Sequence, residues 1–187
     1  MGVPGCELQF PGADSLLGPE MKSTGEVMGI DLDFQSAVSK ALLASGMALP
    51  EKGNILMSIA DKDKAEAPPL VRALAKAGYG FYATEGTAAM IRALGINVEL
   101  IAKRIGEGHP NVVDVITNGT VDAVVNTITG SASILRDGFE IRRSSVERRI
   151  PSFTSLDTAR AAVESLLRGA SGYNVRPNDD YMNSQDT

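Results

Sequence analysis

Lys64, Thr84, Gly86, Thr87 and Lys103 are the residues whose types and surroundings best suit the binding of an anion. Tyr79-Gly80-Phe81-Tyr82-Ala83 reads as a short strand that runs into a glycine-containing turn, Thr84-Glu85-Gly86-Thr87. Ala88-Ala89-Met90-Ile91-Arg92-Ala93-Leu94 then continues at helical spacing. The first turn of a helix leaves backbone N–H groups without intrahelical partners, and the helix dipole adds positive potential there. Gly86 removes the side chain that would block close approach, and Thr84 and Thr87 offer hydroxyls on either side of it. Such a turn suits a phosphate or a carboxylate. The alternative is that Thr87 only N-caps its helix, as threonine commonly does.

Elements of regular spacing must position this turn. Asn54–Ala60 is an apolar run of strand length, and Ala65–Ala77 reads as a helix in which Pro68 is tolerable only in the first turn. Tyr79–Ala83 is a strand and Thr87–Leu94 a helix. Val98–Ala102 is a strand, Asn111–Asn118 a helix stopped at Gly119, and Asp122–Asn126 a strand. Ile141–Arg149 fits a short helix, Ile150–Phe153 a short strand, and Asp157–Arg168 a helix ending at Gly169. Upstream, Asp33 is a candidate N-cap for a helix whose Phe34, Ala37, Val38, Ala41 and Leu42 share a face, with Gly46 as its stop. Strand–helix alternation of this kind predicts an α/β fold, with helices on both faces of a mostly parallel, five-stranded sheet.

In an open parallel sheet, ligands bind beyond the C-terminal ends of the strands, where strand order reverses. The segments past the predicted strands carry Asp61-Lys62-Asp63-Lys64, then Thr84–Thr87, then Lys103-Arg104, then Asn126-Thr127-Ile128-Thr129-Gly130. Cations, hydroxyls and an amide therefore share one rim. Lysine is a point-charge partner for phosphate, and Asn and Thr suit sugar hydroxyls. No Ser–His or Cys–His pair is evident. Asp61, Asp63, Glu85 and Glu107 have no reason to be buried, so the rim is better equipped to hold a phosphorylated ligand than to transform it. Arg142-Arg143 and Arg148-Arg149 form a basic cluster that would either complete the anion site, contact another domain or stay solvated.

Composition sets the outer bounds. The chain has 187 residues, 43% of them hydrophobic, enough for one well-buried core. A net charge of −5 argues against nucleic acid as the main partner. One cysteine, Cys6, forms no intramolecular disulfide and no cysteine-based metal cluster, which fits a cytoplasmic setting. The lone histidine, His109, reads as a loop residue rather than a metal ligand. No apolar run approaches the roughly 20 residues of a membrane span, and the N-terminus is not a secretory signal. Residues 170–187 are polar and aperiodic and read as a disordered tail.

Two stretches resemble a known family. Phe10-Pro11-Gly12-Ala13-Asp14-Ser15-Leu16-Leu17-Gly18-Pro19-Glu20-Met21-Lys22-Ser23-Thr24-Gly25-Glu26-Val27-Met28-Gly29 is similar to the end of the second ATP-grasp synthetase half of carbamoyl-phosphate synthase large subunits. Residues 53–168 resemble the domain that follows it there, of the methylglyoxal synthase-like fold. The resemblance implies a C-terminal fragment of a much longer subunit. Residues 1–50 would be a synthetase tail and linker (1–9 match neither part), and 51–169 the regulatory domain. It further implies binding of an allosteric effector such as uridine or inosine monophosphate, or N-acetylglutamate in some members. The family's phosphate-binding positions match Lys64, Thr84, Thr87 and Lys103, and its ribose-contacting Asn matches Asn126. A second ribose-contacting Thr falls at Ile128, flanked by Thr127 and Thr129. Val112 and Ile141 are candidates to contact the base. An ornithine-responsive Thr matches Thr154, while its companion Tyr is Ser152 here. The parent enzymes are glutamine-hydrolysing, ATP-dependent ligases that use Mg or Mn and work with a glutaminase small subunit. This part alone is expected to have no catalytic residues and no cofactor. Methylglyoxal synthase itself shares the fold, but the loop Glu107-Gly108-His109-Pro110 lacks the aspartate that its lyase chemistry needs. A subunit-association module without effector binding is the third reading, and Ile128 is the residue that favours it.

Overall fold

A computed structural model describes residues 3–4, 26–102, 108–127, 132–168, 175–177 and 180–181 of the chain. The N-terminal arm contributes an antiparallel pair, β1 (Val3–Pro4) with β2 (Glu26–Val27). Helix α1 (Phe34–Ala44) follows. The main body then alternates: β3 (Asn54–Ser58), α2 (Pro68–Lys76), β4 (Gly80–Ala83), α3 (Glu85–Ala93), β5 (Glu99–Leu100), α4 (Val112–Thr117), β6 (Ala123–Asn126), α5 (Ala132–Glu147), β7 (Ser152–Phe153) and α6 (Leu156–Arg168). The five strands β3–β7 pair parallel in the order β5-β4-β3-β6-β7. The predicted α/β architecture is the one observed.

Alternation along each strand divides the core in two. Ile55, Met57, Phe81, Ala83, Ala123, Val125 and Phe153 point to one face, which α1, α2, α3 and α6 cover through residues such as Leu42, Leu74, Ile91 and Val163. Leu56 and Val124 point to the other, where Val112, Val115 and Ile116 of α4 and Ile141 of α5 meet them. Burial on both faces explains why β3 and β6 read as continuous apolar runs rather than alternating ones.

Caps fix the element ends. Asp33 accepts from Ser36 N at 3.0 Å and starts α1. At α4, Asn111 and Asp114 form a reciprocal capping box. Gly46 and Gly119 take left-handed φ of 69° just after α1 and α4, where a side chain would be strained. Tyr79, just before β4, donates its hydroxyl to Pro50 O. Burial, with Asp122 nearby, pushes that hydroxyl up to about 12.

Some boundaries differ from the sequence expectation. Helix α2 begins at Pro68, not Ala65, because consecutive prolines fill its first two positions and lack the N–H groups an earlier start would need. Helix α3 begins at Glu85, two residues before the expected Thr87. Helix α5 runs over 16 residues rather than being confined to 141–149; Gly138 inside it masks the helical signal. Phe34, expected on the buried face of α1, is 64% exposed, as it lies at the helix's first position. Of the expected C-terminal tail, Asp180 and Tyr181 are helical, and Lys40 Nζ lies 3.0 Å from the Tyr181 hydroxyl.

Candidate effector site at the strand ends

Strand order reverses at β3. The chain moves from β3 through β4 to β5, returns across β3, and goes on through β6 to β7. The switch point, where open parallel sheets bind their ligands, therefore lies beyond the C-terminal ends of β3 and β6. Ser58 and Asn126 face each other in register at those ends. Both are buried, and both lie on the α4–α5 side of the sheet with Leu56 and Val124. Thr84, at the end of β4, donates to Ser58 Oγ over 3.4 Å. Among the described residues, Asn126 Nδ2 is buried without a hydrogen-bond partner. A buried donor of this kind calls for an acceptor, which a polar ligand atom would supply.

The positive end of the site is Lys64. It follows a 3₁₀ turn (Asp61–Asp63) after β3, and that turn carries it over to the start of α3. A methyl group at Gly86 would lie 2.5 Å from Lys64 Nζ, so the ammonium rests directly on the backbone there. Gly86 is the second residue of α3; Thr87 N and Ala88 N already donate to Thr84 O at 2.9 and 2.8 Å, so the N–H groups of Glu85 and Gly86 are those of the first turn left without an intrahelical acceptor. The glycine thus serves the close approach of a cation and of any anion that bridges it to the helix. Lys64 also pairs with Asp61 Oδ1 at 2.6 Å; its side chain is 26% exposed and that of Asp61 94%.

Thr87 does not cap α3. Thr84 occupies the N-cap position, without a side-chain cap bond, and Thr87 lies one turn in. The buried Thr87 hydroxyl accepts from Ile59 N at 2.9 Å. Thr127 does the same one residue on, accepting from Ala60 N at 2.9 Å. Two threonines from different elements therefore clamp the exit of β3, the segment that delivers Lys64. A hydroxyl that accepts one hydrogen bond still has its own proton to donate.

Lys64 thus lies against Gly86, Thr84 is joined through Ser58 to the strand end where Asn126 sits, and Thr87 and Thr127 hold the β3 exit. Lys103, Arg104, Glu107, Ile128 and Thr129 lie outside the described residues. Val112 and Ile141 are 1% and 3% exposed and belong to the core against Leu56 and Val124, so they offer a ligand little surface. Thr154 lies past β7, exposed. Arg142, Arg143, Arg148 and Arg149 are exposed; Arg143 pairs with Glu147, and Arg148 lies over Gly119 at the opposite end of the sheet from the rim. His109 is a surface loop residue, paired with Asp114 at 2.5 Å. The Asn111 N–H, and then His109, hold the Asp114 carboxyl below its usual value. Ser58 is the rim residue that the sequence reading passed over. Its place at the end of an apolar run, opposite Asn126, was the available signal.

Residues 66–154 match the MGS-like domain family. The chain carries an MGS-like domain. It is 49% identical over 169 residues to the carbamoyl phosphate synthase large chain of Thermomicrobium roseum, covering 90% of this chain and 16% of that one. The C-terminal section of the large chain from Methanopyrus kandleri is 46% identical over 84% of this chain and 29% of its own length. The large chain of Pasteurella multocida is 43% identical over 85% of this chain and 15% of its own. This MGS-like chain is thus a relative of carbamoyl phosphate synthase large chains and spans less than a third of each. Among the described residues, no helix is long and apolar enough to cross a membrane, and no group of His, Cys, Asp or Glu is placed to hold a metal.

Proposed function

We propose that this chain is the regulatory part of a cytoplasmic carbamoyl-phosphate synthase large subunit, serving pyrimidine and arginine biosynthesis, and that a nucleoside monophosphate binds its strand-end rim. The observation that carries this reading is the contact of the Lys64 ammonium with Gly86 on the first turn of α3, together with Asn126 at the end of the neighbouring β6, whose Nδ2 has no hydrogen-bond partner among the described residues. A phosphate seated there would meet a cation, the N–H groups of Glu85 and Gly86 and the Thr87 hydroxyl proton, with the Thr84 hydroxyl turning to it from Ser58. Lys103 would close the phosphate pocket from the loop after β5. Asn126 would hold the ribose, with Thr129 beside it, while Thr127 acts on the ligand through the loop it clamps. Thr154 would belong to a separate effector position past β7. The remainder of the large subunit and the glutaminase small subunit would be the partners that read out occupancy, and ATP with its Mg or Mn would belong to them.

Calorimetric titration of the purified chain with uridine monophosphate, inosine monophosphate and N-acetylglutamate tests this. Uridine serves as the phosphate-free control. Saturable binding of a nucleoside monophosphate, with uridine binding poorly, is expected. No binding by any of them at millimolar concentration would replace this reading with a subunit-association role.

A further inference from the structure

The one cation placed on the α3 turn among the described residues is already engaged. Lys64 Nζ is 2.6 Å from Asp61 Oδ1; Asp61 opens the 3₁₀ turn and Lys64 caps its end, at spacing i, i+3. The Asp61 carboxylate therefore occupies one face of the ammonium that an incoming phosphate would use. It is tethered three residues away, so its effective concentration at Lys64 is high. Its side chain is 94% exposed, so water can take over its solvation once it swings out. Asp63, two residues on, faces a different cation: its Oδ1 is 4.0 Å from Lys62.

We infer that Asp61 is a built-in competitor for the effector phosphate, and that binding proceeds by exchange of the Asp61 carboxylate for phosphate on Lys64. The inference rests on the placement of the phosphate at Lys64 and Gly86 proposed above. The exchange sets affinity below what the cation and the helix turn would give unopposed. It keeps Lys64 folded against Gly86 when the site is empty, so the cation is pre-placed without being free to recruit any passing anion. An exposed ion pair of this kind is a weak one, so its displacement changes affinity by about two- to fivefold.

The test is a titration of the full chain with uridine monophosphate, in wild type, Asp61→Asn and Asp63→Asn. Asparagine is nearly isosteric, and the position is exposed, so folding is not at stake. Competition predicts that Asp61→Asn tightens uridine monophosphate about two- to fivefold, leaves uridine unchanged, and exceeds any effect of Asp63→Asn. It also predicts that the Asp61 carboxyl carbon shifts in NMR spectra of the wild type as uridine monophosphate is added. Equal affinity in wild type and Asp61→Asn, or a loss in the variant, overturns the exchange while leaving the site intact. Equal gains from Asp61→Asn and Asp63→Asn overturn it in favour of general charge repulsion. Failure of all three proteins to bind removes the site, and the exchange with it.

Discussion

Each rim side chain has its own task, and the tasks separate under mutation. Lys64→Ala removes a charge-assisted contact of about 1.5–3 kcal/mol, so uridine monophosphate should bind roughly tenfold more weakly or worse in a calorimetric titration. Lys103→Ala should act alike if the loop after β5 closes on the phosphate. Gly86→Ala puts a methyl group against the lysine ammonium; the flexible lysine end can yield, so binding should fall while thermal stability holds. Thr87→Val does the reverse kind of damage. It deletes the acceptor of a buried Ile59 N–H, which should cost about 1–3 kcal/mol in denaturant unfolding. A Thr87→Val protein as stable as wild type would show that the clamp at the β3 exit carries no weight.

Helices and strands bring these residues together, and most of the elements were legible from spacing alone. Period-3.6 and continuous apolar runs located five strands and the helices between them, because burial on both faces of a parallel sheet leaves a plain pattern. The rim followed from the rule about strand ends; there Lys64 lies against Gly86, and Thr84 donates to Ser58, in register with Asn126. What remained hidden had local causes. The alternative reading of Thr87 as an N-cap rested on threonine's usual place; its acceptor role depends on Ile59, 28 residues away. Val112 and Ile141 looked available to a base because spacing does not reveal that α4 and α5 press them into Leu56 and Val124. The start of α5 was obscured by Gly138. Capping gives this scale its own test. Asn111→Ala breaks the capping box of α4 and should cost about 0.5–2 kcal/mol. The depressed Asp114 carboxyl adds stability that is present above its unfolded value near 3.8 and is lost as pH falls through its lower folded value. Thermal melts from pH 6 downward should therefore show a steeper acid loss for wild type than for Asp114→Asn.

At the scale of the whole molecule, the chain spans 16% of the Thermomicrobium roseum large chain to which it is similar. It should make no carbamoyl phosphate from ATP, bicarbonate and ammonia; product formation by the purified chain would refute its reading as a regulatory part. Its sheet is a two-sided scaffold whose strand-end rim carries Lys64, the first turn of α3 and Asn126, whose Nδ2 has no hydrogen-bond partner among the described residues. The depression lined by Arg92 and Gly95–Glu99 lies at the other end, around the start of β5, and does not combine these features. Amide chemical shifts report directly where the ligand sits. In a ¹H–¹⁵N titration with uridine monophosphate, the account predicts the largest shifts at the backbone amides of Gly86 and Thr87 and at the side-chain amide of Asn126, with uridine moving Gly86 and Thr87 little. Shifts centred on Gly95–Glu99, or none at Gly86 and Asn126 at saturating ligand, would contradict it.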